Sequence, residues 1–205
     1  MTGKDEAIRN IQWKLAVFAS GTGSNAEKLI QYFKGSSLAN VTLVVCNKPG
    51  AGVIAMAEKE GVPVLLIEKE QFFKAEAYVP FFRQQQIDFI VLAGFLWKVP
   101  QALIDAYRRR IVNIHPALLP KFGGKGMYGQ YVHEAVLNAG EVESGITIHY
   151  VDEHYDSGDI IFQTACPILP GDKPSDIAQR IHLLEHAHYP KVIEQLLQNL
   201  TPPSA

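Results

Sequence analysis

The chain has 205 residues, of which 47% are hydrophobic and 20% are charged, and its formal net charge is −2. This length and composition are typical of a globular protein with a sizeable core. A net charge so close to zero gives no reason to expect nucleic acid or an anionic membrane as the main partner.

Three features bear on the cellular compartment. The stretch 1–12 is polar and lacks the apolar core of a signal peptide. The longest apolar run, 89–99, contains Lys98 and is too short to span a bilayer. Cys46 and Cys166 lie in apolar runs, which favours buried thiols in a reducing compartment over a disulfide. We therefore expect a soluble, cytoplasmic protein without a membrane partner.

The first half of the chain alternates between continuous apolar runs and helical patterns. Strands are predicted at 15–19, 41–46, 64–67, 89–93 and 111–114, and helices at 26–33, 53–60, 72–86 and 100–107. Such alternation predicts an α/β fold with three layers, in which helices cover both faces of a parallel sheet. Pro80 removes one backbone donor from the helix predicted at 72–86.

The pattern changes after residue 122. A glycine-rich loop at 123–129 precedes a helix at 131–139, a strand with two unlike faces at 146–151 and a further strand at 160–168. The last helical stretch is 173–199, and Pro190 is expected to split it in two. Since there is no internal repeat and no linker, we expect one domain at 13–200 with flexible tails at 1–12 and 201–205.

Asn113 and His115 stand at the end of the fifth predicted strand, just before Pro116. Residues two apart on an extended chain point to the same face, and proline ends regular pairing. An amide and an imidazole that titrates near neutrality therefore face one loop at a strand end. Ligand crevices of α/β sheets form at such ends, so the pair is a candidate catalytic site.

The segment Ser20-Gly21-Thr22-Gly23-Ser24-Asn25 joins the first strand to the first helix. It leaves backbone N–H groups free at a helix N-terminus, which Ser24 or Asn25 can cap. Such a terminus binds anions, above all phosphate; the alternative is a tight turn without a ligand. A dinucleotide fingerprint is matched only through Ala26, and Asn47-Lys48 stands where that site requires an acid. No Gly-Lys-Ser/Thr follows, which excludes a phosphate-loop NTPase.

Four motifs occur in order and together resemble one family. They are Ser20-Gly21-Thr22-Gly23-Ser24-Asn25, Leu92-Ala93-Gly94-Phe95, Asn113-Ile114-His115-Pro116-Ala117-Leu118-Leu119-Pro120-Lys121 and Glu185-His186-Ala187-His188-Tyr189-Pro190. Over residues 15–197 the chain is similar to the folate-dependent glycinamide ribonucleotide (GAR) transformylases, or phosphoribosylglycinamide formyltransferases. The resemblance implies a Rossmann-like formyltransferase fold, with a mostly parallel seven-stranded sheet and one late antiparallel strand. The chain length is expected to exclude the extra domains of relatives that formylate initiator tRNA or hydrolyse formyltetrahydrofolate.

The resemblance also implies an activity, which is transfer of a formyl group from the co-substrate 10-formyltetrahydrofolate to the amine of GAR in purine (IMP) biosynthesis. No metal is implied, and the expected partners are these two small molecules, with the chain acting as a monomer or homodimer. The implied catalytic residues are Asn113, His115 and Asp156. The implied GAR-binding residues are Gly23, Ser24, Asn25, Pro116 and Glu185. The implied folate-binding residues are Leu96, Trp97, Lys98, Val99, Asn113 and Asp156.

The implied catalytic roles agree with the chemistry. An amine that attacks a formamide builds negative charge on the formyl oxygen, which Asn113 and a protonated His115 would stabilise, at about 3–4 kcal/mol of barrier for one donor. Asp156 beside His115 is expected to raise the pKa of the imidazole. Two segments depart from the family pattern: the loop 122–129 is longer and richer in glycine, and Ala75 stands where an arginine commonly helps to hold the folate.

Other interpretations stay open at this point. A related formyltransferase that acts on a nucleotide-sugar amine would share the motif around His115. A folate- or nucleotide-binding regulator would have no need of an acid–base set, and a nicotinamide-dependent oxidoreductase is a more distant alternative. His149 either supports Asp156 or His115, or is a satisfied core histidine. Three late histidines are interpreted as packing residues rather than metal ligands: His182, His186 and His188.

Overall fold

The computed structural model describes residues 12–74, 76 and 78–201. Within them, one sheet has the strand order β3-β2-β1-β4-β5-β6-β7. The strands are β1 (Trp13–Ala19), β2 (Ala39–Cys46), β3 (Val64–Leu66), β4 (Phe89–Leu92), β5 (Ile111–His115), β6 (Glu143–Tyr150) and β7 (Ile160–Pro167). Strands β1 to β5 are parallel, and β6 is antiparallel to both of its neighbours. The mostly parallel seven-stranded sheet with one late reversed strand is therefore confirmed.

Helices cover both faces of this sheet. They are α1 (Ser24–Phe33), α2 (Gly52–Lys59), α3 (Lys69–Phe72), α4 (Val79–Gln84), α5 (Gln101–Ala106), α6 (Gln130–Asn138) and α7 (Pro174–Asn199). Successive residues of β1 point to opposite faces: Leu15 and Val17 pack in a core with α1, α2 and α7, whereas Ala16 and Phe18 pack in a core with α4 and α5. The apolar run of β1 is continuous because both of its faces are buried.

The single helix predicted at 72–86 is wrong. The chain forms α3 and α4 instead, separated by a turn in which Tyr78 has a φ of 58°. Pro80 lies in the first turn of α4, where its missing N–H breaks no helical hydrogen bond. The proline therefore starts a helix here and does not interrupt one.

The predicted split at Pro190 is also wrong, since α7 runs unbroken for 26 residues. A proline removes its own N–H bond but leaves the rest of the ladder in place. Buried side chains on either side of it, including Ile181 and Ile193, hold both halves against the sheet. The hydroxyl of Tyr189 also donates to the carbonyl of Leu92 at 2.8 Å, which fixes the helix where the proline lies.

The strand predicted at 146–151 is part of β6, and its two faces are unlike, as predicted: Ile146 and Ile148 pack in the apolar core, whereas Thr147 and His149 are polar. Both faces are buried, since Thr147 and His149 are as little exposed as the two isoleucines. The polar side of the strand is covered by the loop after β5, where the Thr147 hydroxyl donates to the carbonyl of Ala117 at 2.6 Å. Polar residues lie inside here because each has a hydrogen-bond partner.

Some sequence predictions fall outside the described residues. Among these are the tails, apart from Gln12 and Thr201, and the position of Ala75. Among the helices that are described, none is long and apolar enough to cross a membrane.

Candidate active site

The carboxyl ends of β1, β4 and β5 lie side by side at one edge of the sheet. Ser20, which follows β1, links the segments after β2 and β4: its hydroxyl accepts from Leu96 N–H at 2.9 Å and donates to Asn47 Oδ1 at 2.6 Å. A cleft of about 1430 Å³ opens at this edge. Every site residue predicted from the sequence lines it: Gly23, Ser24, Asn25, Leu96, Trp97, Lys98, Val99, Asn113, His115, Pro116, Asp156 and Glu185.

Three of these side chains converge at the end of β5. Asn113 and His115 point to the same side of the strand, as their spacing predicts, and Asp156 reaches them from the loop between β6 and β7. Asp156 Oδ2 lies 3.6 Å from His115 Nδ1, and Asp156 Oδ1 accepts from Asn113 Nδ2 at 3.4 Å. The arrangement places an amide, an imidazole and a carboxylate within reach of one reacting group.

The Asp156 carboxylate is held in its ionised form. Asp156 has a φ of 52°, a backbone conformation that non-glycine residues adopt rarely, and its Oδ2 accepts from Gly124 N–H at 2.9 Å. Burial by itself would raise the pKa of this carboxyl. The neighbouring imidazole of His149, the charge of His115 and the Gly124 N–H together outweigh burial and hold the pKa below 3.8.

The imidazole of His115 is buried, with 3% of its surface exposed. Burial lowers its pKa below 6.5, although Asp156 and the Phe122 carbonyl act in the opposite direction. The prediction that Asp156 raises the pKa of His115 is right for the effect of Asp156 alone. The prediction is wrong for the net shift, because desolvation disfavours the charged ring more than Asp156 favours it. The Phe122 carbonyl can only accept a hydrogen bond, so Nε2, which lies 2.8 Å from it, carries the proton.

One end of the cleft is the N-terminus of α1. Gly23 precedes the helix with a φ of 87°, and a Cβ there would lie 2.7 Å from Val53 Cγ2. No side chain caps α1, so the prediction that Ser24 or Asn25 caps it is wrong. The first N–H groups of the helix remain available to an anion in the cleft.

Glu185 lies beside this helix end and is 5% exposed. Its Oε2 accepts from Asn25 Nδ2 at 2.9 Å and from His182 Nδ1 at 3.0 Å. The second bond raises the pKa of His182 above 6.5. Glu185 therefore combines a buried carboxylate with an anion-binding helix end, an arrangement suited to a ligand that carries both hydroxyl groups and a phosphate.

The cleft also has an apolar wall after β4. The indole of Trp97 packs at 5.8 Å from the rings of both Phe72 and Phe73, and Val99 is buried. Leu96 is 49% exposed toward solvent. A flat aromatic ligand such as a pterin fits a wall of this kind, since ligand pockets are mainly apolar with a few polar groups.

Two backbone groups of the loop 122–129 belong to the site, and sequence reasoning missed them: the carbonyl of Phe122 and the N–H of Gly124. The glycine content of the loop was their only signal, because side-chain patterns do not show where a main-chain group points. His133, which sequence reasoning left outside the site, and His149, for which a supporting role stayed open, also line the cleft. Among the described residues, no group of three or more His, Cys, Asp or Glu side chains could hold a metal ion.

Comparison with known proteins agrees with the family resemblance found in the sequence motifs. A family model described as formyl transferase matches residues 13–193. A phosphoribosylglycinamide formyltransferase of Bacillus subtilis is 42% identical over 189 residues, covering 90% of this chain and 94% of that protein. A chloroplastic phosphoribosylglycinamide formyltransferase of Vigna unguiculata is 44% identical over 190 residues, covering 90% of this chain. The chain spans only 61% of the length of that plant relative.

Solved structures agree with these sequence relatives. The crystal structure of phosphoribosylglycinamide formyltransferase from Bacillus halodurans superposes with a TM-score of 0.82 at 39% sequence identity. The match covers 91% of this chain and 96% of that chain. The likeness therefore extends over the sheet, the helices on both faces and the edge that carries the cleft.

Proposed function

This chain belongs to the formyl transferase family, and we propose that it transfers a formyl group from 10-formyltetrahydrofolate to the amine of GAR. The observation that carries the proposal is the convergence of Asn113, His115 and Asp156 in the cleft. The same cleft is lined by the anion-binding end of α1 and by the apolar wall around Trp97. We infer that a sugar phosphate and a folate bind at these two parts of the cleft and meet at the three side chains.

The reaction forms a bond between the amine nitrogen and the formyl carbon, breaks the bond from that carbon to N10 of the folate, and moves a proton from the amine to N10. Negative charge develops on the formyl oxygen as the amine attacks. The amide of Asn113 is the donor available to that oxygen, because the Nε2–H of neutral His115 is bonded to the Phe122 carbonyl. His115 becomes a second donor once Nδ1 has taken a proton. Preorganised donors of this kind typically contribute about 3–4 kcal/mol each to lowering a barrier.

Asp156 and His115 form the proton-carrying pair. Because the pKa of Asp156 lies below 3.8, its carboxylate is ionised at neutral pH and can accept the proton that the amine loses. His115 Nδ1, 3.6 Å from Asp156 Oδ2, is the ring nitrogen left free to take that proton. Acid–base groups positioned in this way accelerate reactions by roughly 10²–10⁴-fold.

Substrate choice follows from the two ends of the cleft. The N–H groups of α1 after Gly23 suit the phosphate of GAR, and Glu185 suits its ribose hydroxyls, with Ser24, Asn25 and Pro116 adjoining. The wall formed by Leu96, Trp97, Lys98 and Val99 suits the folate. We infer that backbone groups of the segment between β4 and α5, which lines the cleft, bond to the polar edge of the pterin.

An isotope-transfer assay tests the proposal. The purified chain is incubated with 10-formyltetrahydrofolate labelled in its formyl carbon, and with GAR or a panel of nucleotide-sugar amines as acceptors. We expect label in formylated GAR and little in the other products. Preferential labelling of a nucleotide-sugar amine, or no transfer to any acceptor, would contradict the proposal.

Two further inferences concern the setting of this activity. We infer a cytoplasmic location, which is supported by two buried, unpaired thiols, Cys46 and Cys166, since reducing compartments keep thiols free. We also infer that the partners are the two small molecules, without nucleic acid or membrane, and that the enzyme acts as a monomer or homodimer. The net charge of −2 supports the absence of a nucleic-acid partner.

A further inference from the structure

His149 lies on β6 directly opposite Asn113 on β5. Paired residues of antiparallel strands have neighbouring side chains on the same face of the sheet. The pairing of β6 with β7 is irregular between Ile148 and His149, where Ile161 of β7 has no partner. The imidazole is 2% exposed, so its hydrogen bonds are made with protein groups.

The tautomer of His149 follows from its partners. Nδ1 lies 2.8 Å from the carbonyl oxygen of Tyr150, which can only accept, so Nδ1 carries the proton. In the neutral ring, Nε2 is then an acceptor. Asn113 Nδ2 lies 3.1 Å from this Nε2 and donates one of its two hydrogens to it.

The second hydrogen of Asn113 Nδ2 is directed to Asp156 Oδ1, at 3.4 Å. If the amide were turned by half a rotation, its oxygen would face two acceptors, His149 Nε2 and Asp156 Oδ1. That arrangement would leave buried polar groups without partners, which is costly. His149 therefore specifies which end of the Asn113 amide lies next to Asp156.

We propose that His149 is a positioning residue for the transfer reaction: as an acceptor at Nε2, it holds one hydrogen of the Asn113 amide and keeps the other directed toward the formyl oxygen beside Asp156. This inference rests on the proposed function. The bond from Asn113 to Asp156 is the longer of the two, so an incoming oxygen can replace it while the bond to His149 is retained.

Two substitutions separate this role from simple packing. In His149→Asn, the side-chain amide can still donate to the Tyr150 carbonyl, but it is too short to accept from Asn113. In His149→Gln, the longer side chain brings an amide oxygen near the place of Nε2 and can accept from Asn113. We expect His149→Asn to lower kcat by about tenfold or more, equivalent to about 1.4 kcal/mol of barrier, with both KM values near those of the wild type. We expect His149→Gln to recover most of that loss.

The outcomes are distinct. Equal kcat values for the two variants, or a wild-type kcat in His149→Asn, would overturn the positioning role. Absence of formyl transfer by the wild type would instead refute the proposed function. If the variants fail to fold, as judged by their thermal unfolding, nitrogen NMR of the wild-type ring gives the answer. The His149 signals should show a proton on Nδ1 and none on Nε2, and a proton on Nε2 would overturn the inference.

Discussion

Asp156 Oδ2 lies 3.6 Å from His115 Nδ1, although His115 is the last residue of β5 and Asp156 lies in the loop between β6 and β7. The separation is longer than a hydrogen bond, so the pair attracts mainly through charge when the imidazole is protonated. Gly124 N–H holds the same carboxylate oxygen at 2.9 Å. The carboxylate is thus held in position before a substrate binds, and we expect its removal to lower the rate of formyl transfer.

Asp156→Asn should lower kcat by about 10²–10⁴-fold, the usual contribution of a positioned acid–base group. The amide has nearly the same shape, so we expect the fold to survive, with a circular dichroism spectrum like that of the wild type. Asp159→Asn is the matched control, because Asp159 is an exposed carboxylate in the same loop and pairs with Arg109. Wild-type turnover in Asp156→Asn would contradict the assigned role.

The stability of the protein should fall in mild acid partly because of His115. Burial lowers the pKa of this imidazole below 6.5. Between that lowered pKa and 6.5, the unfolded chain binds a proton that the folded chain does not, so the free energy of unfolding decreases as the pH falls. Above 6.5 both states are neutral and the contribution is complete.

Urea unfolding at pH 8 and pH 5.5 measures this effect. The wild type should lose more free energy of unfolding between these pH values than His115→Asn, which has no ring to protonate. His154→Asn, at an exposed position, is the control and should follow the wild type. An equal loss in His115→Asn and the wild type would show that the buried ring is not the source.

Local sequence patterns predict the parts of the site that depend on local geometry. The spacing of Asn113 and His115 on an extended chain places both on one side of β5, and Gly23 predicts the turn into α1. The position of Asp156 is different, since it depends on how β6 pairs with β5. Asp156 was predicted only from the resemblance to a family, because no spacing of residues in the chain indicates that it lies near His115.

The direction of the His115 pKa shift could not be predicted from the sequence, for a related reason. The sequence contains the carboxylate that raises the pKa, but the burial that lowers it comes from elements distant in the chain. The same holds for the predicted split at Pro190. The proline is visible in the sequence, whereas the packing of Ile181 and Ile193 that keeps α7 continuous emerges only in the folded chain.

Gly123→Ala should weaken the hold of the loop on Asp156. A Cβ at this position would lie 2.6 Å from Leu119 Cδ2 and 3.2 Å from Asp156 Cβ, so the Leu119 side chain must turn away and Asp156 must shift by a few tenths of an ångström. This shift would weaken the bond from Gly124 N–H to the carboxylate, a charge-assisted hydrogen bond of about 1.5–3 kcal/mol. Because that bond lowers the pKa of Asp156, we expect kcat to fall and the acid limb of the pH–rate profile to move to higher pH. An unchanged acid limb would show that Gly124 does not tune the carboxylate.

Glu185→Gln should raise KM for GAR about tenfold, which corresponds to roughly 1.4 kcal/mol of binding, and should leave KM for 10-formyltetrahydrofolate near its wild-type value. The buried Glu185 carboxylate bonds with Asn25 and His182 at the α1 end of the cleft, and an amide cannot accept from both with the same strength. Trp97→Ala is the complementary variant, because Trp97 forms the apolar wall of the cleft. It should raise KM for the folate and spare KM for GAR. If each variant changed both KM values alike, the division of the cleft into a sugar-phosphate end and a folate end would be wrong.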